Sequence, residues 1–381
     1  MSERNAVIVG AGIGGLAAAI ALHRRGWNTT VFERAPALRE VGAGISLWPN
    51  AVGALDLLGV GDQAREYGAV EGAGGFRDSR GRWLFRSQMR THYGDTLVLR
   101  RSVLLDILSS ALPADLIKLN TEADHLHAAD VLVGADGLRS TVRAALWPDA
   151  APPVYAGYTT WRLIAPAPEL DAEVSESWGR GERVGIFRLA DGAIYCYFTA
   201  RTPPGIEYAD DLSELKRRFG HWHDPIPAVL DSLTGAEILR HDIYRLPPLP
   251  SYVADRVALL GDAAHAMTPD LGQGGGTALE DAVELAEALE STPDISLGLT
   301  RYDQRRRRRT QQIARQSARF GAFAQASGRL AVPLRNTAAR LLPQSVFLRS
   351  VQPMLDWHPC PLHADEDRDT RENRQQPGQS R

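Results

Sequence analysis

Gly10-Ala11-Gly12-Ile13-Gly14-Gly15 follows directly on the apolar run Ala6-Val7-Ile8-Val9 and precedes an alanine- and leucine-rich stretch from Leu16 to His23. A short apolar run suits a buried strand, and Gly-x-Gly-x-x-Gly between a strand and a helix places a backbone turn against a pyrophosphate. Gly10 permits the tight turn, Gly12 lets the backbone approach the phosphates, and Gly15 lets helix and strand pack closely. The phosphates then sit on unpaired amides at the positive end of a helix. Thr29-Thr30-Val31-Phe32 reads as the second strand, closed by Glu33, with Arg34 beside it. A carboxylate there accepts from both ribose hydroxyls and repels a 2′-phosphate, so the nucleotide expected is NAD or FAD and not NADP.

Two further stretches belong with the first: Gly134-Ala135-Asp136-Gly137 running on to Arg143, and Gly261-Asp262-Ala263-Ala264-His265. Each alone is a weak signal, but all three in this order point to one kind of flavoenzyme. The apolar residues 6 to 22 also admit an export signal, yet their glycines and their ending at His23-Arg24-Arg25 suit strand, turn and helix better. Gly59-Val60-Gly61-Asp62-Gln63-Ala64 repeats the glycine spacing. It follows a helix-like run, Ala51 to Leu58, where a phosphate loop needs a strand, and is read as a decoy.

Composition bounds the remaining classes. The chain has 381 residues, 44% of them hydrophobic, enough for a large core and for two domains more readily than one. Its 43 basic and 46 acidic residues leave a net charge of −3, so no global feature calls for nucleic acid or a membrane. The two cysteines, Cys196 and Cys360, are far apart and lack metal-ligand spacing, which excludes a disulfide framework and makes a reduced cytoplasm the expected compartment. No metal site is expected; His221-Trp222-His223-Asp224 lacks a third ligand and suits a helix-to-turn segment. Arg305 to Arg309 lies in a polar helical stretch without interleaved aromatics and is read as a solvated helix face. Residues 364 to 381 are charged and rich in Gln, Asn and Gly, as expected of a disordered tail.

The middle of the chain changes character. Arg77-Asp78-Ser79-Arg80-Gly81-Arg82-Trp83 reads as a hairpin turn, Gly157 to Ala165 as a strand, and Val184 to Leu189 with Ala193 to Ala200 as a hairpin about Asp191-Gly192. After Pro247-Pro248-Leu249-Pro250, the run Arg256 to Leu260 returns to the buried-strand pattern and delivers Gly261-Asp262. The fold expected is α/β, a Rossmann-like FAD-binding domain with an inserted β-sheet substrate domain. Residues 1–75, 96–155 and 251–363 form the first, and residues 76–95 and 156–250 the second.

With these motifs the chain resembles the FAD-dependent aromatic hydroxylases of the para-hydroxybenzoate hydroxylase fold, in the branch of salicylate hydroxylases, urate hydroxylases and zeaxanthin epoxidases. The likeness runs to about Pro361 and includes Gly42-Ala43-Gly44-Ile45-Ser46-Leu47-Trp48-Pro49-Asn50, the arginine of Arg101-Ser102-Val103-Leu104-Leu105, Gly157 to Arg162, and Leu271-Gly272-Gln273-Gly274 through Glu280-Asp281-Ala282. The resemblance implies FAD, with NADH or NADPH as co-substrate and O2. It implies hydroxylation or epoxidation of a small aromatic or conjugated substrate by way of a flavin C4a-hydroperoxide. A flavin oxidoreductase of the same fold without oxygen transfer, or a catalytically impaired FAD-binding protein, is the alternative. The lack of a Trp-x-Trp pair argues against a halogenase, and the lack of a second strand-linked glycine fingerprint against relatives with a separate nicotinamide domain. A homodimer is left open.

Carried over residue by residue, the resemblance implies FAD binding through Gly10, Gly12, Gly14, Gly15, Glu33, Arg34, Gly44, Ser46, Arg101, Ala123, Asp136, Asp262 and the run Gly272, Gln273, Gly274, Gly275 and Gly276. Asp262 would accept from ribityl hydroxyls, and the helix opened by Gly272 to Gly276 would turn its amino end to the flavin edge where charge collects on reduction. Asp136, with Ser140 and Arg143, resembles a motif handling both FAD and NAD(P)H; an acid in a glycine turn equally suits a cap. Arg183 and Tyr195 are the candidate catalytic residues. Arginine there would steady an anionic substrate and tyrosine would orient or deprotonate a ring hydroxyl, or else the two are a surface arginine and a sheet-packing tyrosine. Only Glu122 to Ala129 separate Leu119-Asn120-Thr121 from Asp130-Val131-Leu132-Val133, where the family inserts further strands, and Ala123 replaces a larger apolar residue near the adenine.

Overall fold

The structure is a computed structural model, and it describes residues 4–359 apart from 39–42, 72–73, 88–93, 124–128, 167–168, 171–172, 234 and 236. The tail 364–381, Cys360 and most of the shortened segment 122–129 thus lie outside the described residues.

Ala6-Val7-Ile8-Val9 lies within the strand Asn5–Val9 at the middle of a six-stranded sheet. Its parallel neighbours are Asn28–Phe32 on one side and Val131–Gly134 on the other, continued outward by Ile117–Lys118 and by Val257–Leu259. A short antiparallel edge, Val253–Ala254, closes the far side. Val131, Leu132, Val133 and Gly134 are buried on both faces, as expected of a strand with helices above and below.

The helix Ile13–His23 packs on this sheet almost wholly buried, because Ala17, Ala18, Ala19 and Ala21 let neighbouring backbones approach. Against it lies the helix Gly274–Glu290, the second long helix on this sheet's side of the molecule. A Cβ on Gly14 would sit 2.6 Å from Leu260 Cδ1 and 3.3 Å from Ala278 Cβ, so the third glycine of the run sets how closely these elements meet. A three-stranded antiparallel sheet of Gly44–Leu47, Leu97–Arg100 and Ala69–Val70 touches both the helix Gly274–Glu290 and the strand Val154–Ala165 through its first strand.

The second layer is a seven-stranded sheet in the order Leu239–Arg245, Val154–Ala165, Ile194–Ala200, Glu182–Arg188, Ser175–Trp178, Gly74–Asp78, Trp83–Ser87. All pairs are antiparallel except Ser175–Trp178 with Gly74–Asp78. The hairpin at Asp191-Gly192 forms as its sequence dictates, with Gly192 at φ +85°. Alternation then sorts the two faces. Ile194, Cys196, Phe198 and Ala200 join Trp161, Leu163, Val184 and Ile186 in a core covered by the helices Asp211–Phe219 and Ile226–Asp231. Tyr195, Tyr197 and Thr199, with Thr160, Arg162, Arg183 and Phe187, are presented to the opposite face. The long helix Ile295–Ala324 and the helices Ala331–Leu341 and Gln344–Leu355 wrap the junction between the layers. No helix of the described residues is long and apolar enough to cross a membrane.

The Arg305–Arg309 run does lie on a helix, but it is not simply a solvated face. Arg306 is 1% exposed, bound through Nε to Asp281 at 2.6 Å and through Nη2 to Glu280 at 2.7 Å. Arg309 reaches Glu280 with two contacts of 2.8 Å, and Arg307 pairs with Asp303. Helical periodicity puts Arg306 on the same buried stripe as Tyr302, Thr310 and Ile313, and buried charges need partners.

Candidate active site

Each glycine of the fingerprint does something different. Gly10 is at φ +100°, where a Cβ would fall 2.6 Å from the Ala135 carbonyl oxygen, and a Cβ on Gly15 would fall 1.9 Å from the Gly10 carbonyl oxygen. At Gly12 a Cβ would meet nothing within 4 Å, and the residue borders a large cavity. Turn, helix packing and open approach are thus assigned to Gly10, Gly15 and Gly12 in that order. The Glu33 carboxylate braces the turn, accepting from the amides of Ala11 and Ala35 at 2.8 Å each.

The second stretch caps a helix. Asp136 Oδ2 accepts from the Thr141 amide at 2.6 Å, the Thr141 hydroxyl at 3.0 Å and the Val142 amide at 3.2 Å, while Ser140 Oγ accepts from the Arg143 amide. Arg143 then donates to the Ala263 carbonyl at 2.8 Å, tying this cap to the third stretch. Asp136 Oδ1 remains buried with no protein partner among the described residues.

The third stretch turns on Gly261, at φ +58°, whose amide donates to Asp281 at 3.0 Å. His265 Nε2 lies 2.5 Å from the same carboxylate oxygen, so it packs and bonds within the cofactor half, away from the cavity lining. Burial raises the pKa of the Asp281 carboxyl, but His265 and Arg306 outweigh it and hold the group down at about 2. Glu280 accepts from Asn50 at 2.6 Å, and Asn50 donates at 3.0 Å to Gln273 just before the helix Gly274–Glu290. The Glu280-Asp281 pair therefore fixes both the Gly261-Asp262 turn and the amino end of that helix.

These pieces converge on a cavity of about 990 Å³ between the layers. Gly12, Gly14, Gly44, Ser46, Arg101, Asp262, Gly272, Gly274 and Gly275 border it, and so do both Arg183 and Tyr195. Gly10, Gly15, Glu33, Arg34, Ala123, Asp136, Gln273 and Gly276 do not. Gly44 packs so closely on the Tyr195 ring that a Cβ would sit 2.5 Å from Cγ. Asp262 is exposed to the cavity with no protein partner among the described residues, and a Cβ on Gly274 would meet nothing within 4 Å. An open glycine cradle, an unengaged carboxylate and a helix amino end around one elongated space fit a flavin dinucleotide.

Arg183 is not the free cation that its sequence position suggested. It is 2% exposed, donates through Nη1 to Glu176 at 3.0 Å, and is hydrogen-bonded through Nη2 to Asp270. Burial works against its charge, but the two carboxylates outweigh it and raise its pKa. Tyr197 donates to Glu176 at 2.8 Å and Tyr158 to Asp270 at 3.0 Å, which completes a hydrogen-bonded wall. Tyr195 stands at the edge of this wall, its ring centroid 5.9 Å from that of Phe187 and 6.5 Å from that of Tyr197. Burial raises its pKa, opposed by Arg162 and Arg101. Sequence reasoning missed Glu176, Asp270 and Tyr197; only Tyr197 carried a signal, being two residues along the strand from Tyr195 and so on the same face. Among the described residues no group of three or more His, Cys, Asp or Glu side chains is arranged to hold a metal, and His223 is bound to Ser177 at 2.7 Å.

Comparison with known proteins agrees with this geometry. A family model described as an FAD binding domain matches residues 240–317, and one described as an NAD(P)-binding Rossmann-like domain matches residues 8–39. The chain is 36% identical over 359 residues to the aurachin C monooxygenase/isomerase of Stigmatella aurantiaca, covering 88% of this chain and 94% of that one. It is 33% identical over 367 residues to the 2-heptyl-3-hydroxy-4(1H)-quinolone synthase of Pseudomonas aeruginosa, covering 89% and 94%. The crystal structure of Klebsiella pneumoniae HpxO complexed with FAD and uric acid superposes with a TM-score of 0.84 at 26% identity, covering 92% of this chain and 96% of that one. The chain belongs to the FAD-dependent monooxygenases of the aromatic hydroxylase class. FAD is its cofactor.

Proposed function

We propose that the protein uses NADH or NADPH and O2 to hydroxylate or epoxidise a small aromatic or conjugated ring held between Tyr195 and the flavin site. One observation carries the reading. The FAD-facing groups, Gly12, Asp262 and the Gly274-Gly275 helix end, share a single cavity with the aromatic face of the inserted sheet. Bound FAD supplies the redox chemistry, taking a hydride and passing one oxygen atom from O2 to the substrate. The chain supplies the rest. Asp262 would hold the ribityl portion, Glu33 would act through the turn it braces at Ala11, and the amides at the amino end of Gly274–Glu290 would favour negative charge on a flavin bound beside them. Gly44, Ser46 and Arg101 would line its site.

Tyr195 is proposed to orient the substrate by hydrogen bonding to a ring hydroxyl or ring nitrogen, with its phenol kept neutral by burial. Arg162, which borders the cavity beside Tyr195, takes the role of steadying negative charge on the substrate, because Arg183 is already committed to Glu176 and Asp270. Arg183 is proposed as a positioning residue that fixes the wall against which the ring lies. The inserted sheet and the C-terminal helices keep water from the reacting atoms, which limits loss of reducing equivalents as hydrogen peroxide. We take residues 76–95 and 156–250 to form the substrate domain. The test is NADH and NADPH oxidation by FAD-loaded protein across phenols, indoles, purines and quinolones, with peroxide followed in parallel. Substrate-stimulated oxidation with little peroxide supports the reading; oxidation indifferent to every ring compound favours a flavin oxidoreductase without oxygen transfer.

A further inference from the structure

The same cavity changes character along its length. Around Asp262, Tyr195 and the Glu176–Arg183–Asp270 wall its lining is polar. Beyond Trp178 it becomes an arm walled by Phe76 and Phe85 from the outer strands of the inserted sheet, by Phe320 from the helix Ile295–Ala324, and by Leu342, Phe347 and Met354 from the C-terminal end. The rings line it closely. Phe76 stacks on Trp178 with centroids 4.5 Å apart, Phe85 meets Phe347 at 4.8 Å, and Phe76 meets Phe320 at 5.8 Å.

The helical side of the arm offers no carboxylate. From Gln304 to Leu355 the sequence contains no Asp or Glu, the polar side chains on that border are Gln316, Arg319 and Ser350, and the Trp178 indole nitrogen is turned to Glu176 at 2.9 Å. The helices that wall the arm also carry exposed apolar side chains, Leu334 and Leu341 among them at 72% and 74% exposure. A flat ring alone, set against Tyr195, would leave this aromatic surface uncovered, and apolar surface of that kind is covered most favourably by an apolar group.

We propose that the substrate carries an apolar tail of several carbons on its oxidisable ring, and that this tail lies in the arm between the inserted sheet and the C-terminal helices. The proposal rests on the reading of the cavity as a hydroxylase substrate chamber. It adds the substrate class: a ring with a lipid-like tail, where a small polar aromatic would leave the arm empty. Most of the recognition energy then comes from the tail, while the ring end is held by a few directional contacts.

The experiment uses FAD-loaded protein and two homologous series. The first is n-alkanols from butanol to decanol, which have a tail and no ring, followed by calorimetric titration. The second is 4-alkylphenols, followed by turnover. Each methylene entering the arm is expected to tighten alkanol binding about 4-fold until the arm is full, since burial of a CH₂ contributes about 0.8 kcal/mol. KM for the alkylphenols is expected to fall along the series while kcat changes little.

Ala338→Trp, at an exposed position on the cavity border, is expected to plug the arm and flatten the dependence on chain length. Phe347→Ala, which removes the ring facing Phe85, is expected to reduce the gain per methylene. Should Ala338→Trp fail to retain FAD, Phe347→Ala decides. Alkanol affinity independent of length, or a dependence unaltered by the variants, overturns the proposal. Because alkanols carry no aromatic ring, a steep alkanol series with no ring compound oxidised would sink the hydroxylase reading alone and leave the arm standing.

Discussion

Arg306→Leu removes a guanidinium that is 1% exposed and leaves Asp281 and Glu280, both fully buried, without the cation between them. Breaking one side of a buried ion pair typically costs about 3–5 kcal/mol, because the partner is left charged in a poorly solvated place. Glu280 keeps Arg309 and Asn50, and Asp281 keeps His265 and the Gly261 amide, so the lower end, about 3 kcal/mol, is expected. At roughly 2 °C per kcal/mol for a chain of this size, Tm falls by about 6 °C. The assay is thermal unfolding of the FAD-free protein by circular dichroism, at one scan rate for both forms.

The pH dependence gives a second handle with a definite sign. The Asp281 carboxyl is held down at about 2 in the folded protein, against about 3.9 when unfolded. Its pairing therefore stabilises the fold above the unfolded value and is lost as pH falls from about 4 through 2, a contribution of about 2–3 kcal/mol. In the variant both carboxylates titrate higher and are neutralised sooner on acidification, so the gap between parent and variant should be widest at pH 7 and narrower at pH 4. A variant melting within 1 °C of the parent, or a gap equal at both pH values, refutes the reasoning.

Three further substitutions address cofactor and substrate. Asp262→Ala is expected to weaken FAD retention by about 1.5–3 kcal/mol, or about 10- to 150-fold in Kd, for loss of a charge-assisted hydrogen bond; equal Kd in both proteins removes Asp262 from the site. Glu33→Ala should also lower FAD affinity, measured by fluorescence titration, yet leave the visible spectrum of the remaining holoenzyme unchanged, since Glu33 braces the turn at Ala11 and not the cavity around Tyr195. Tyr195→Phe should keep normal flavin content but turn over up to about 10²-fold more slowly, as expected for a substrate that is no longer held in place, with more peroxide per NAD(P)H consumed. Parental rate and coupling in that variant would reduce Tyr195 to a packing residue.

What the sequence made legible was what local backbone geometry enforces. Gly10, Gly12 and Gly15 announce their separate tasks because each depends on the absence of a Cβ at a turn only a few residues long, and Asp191-Gly192 announces a hairpin for the same reason. The partners of Arg183 were not legible in this way. Glu176 is seven residues off, on a neighbouring strand, but Asp270 is 87 residues away, and no spacing rule joins them. The arginine run was misjudged from composition, although Tyr302, Arg306, Thr310 and Ile313 already marked a buried stripe at helical spacing. The apolar arm had no motif at all. Phe320, Leu342, Phe347 and Met354 look like the inner faces of ordinary amphipathic helices, and only the packing of those helices on the sheet shows which of them line a cavity.

The most direct test of a monooxygenase is the fate of molecular oxygen. FAD-loaded protein should be turned over with its best ring substrate and NADH or NADPH under ¹⁸O₂, with the product examined by mass spectrometry and reducing equivalents counted. One ¹⁸O atom per product molecule, with close to one NAD(P)H consumed for each, is the expected result. Product free of ¹⁸O, or NAD(P)H consumed with all of the label recovered in hydrogen peroxide, would contradict the account.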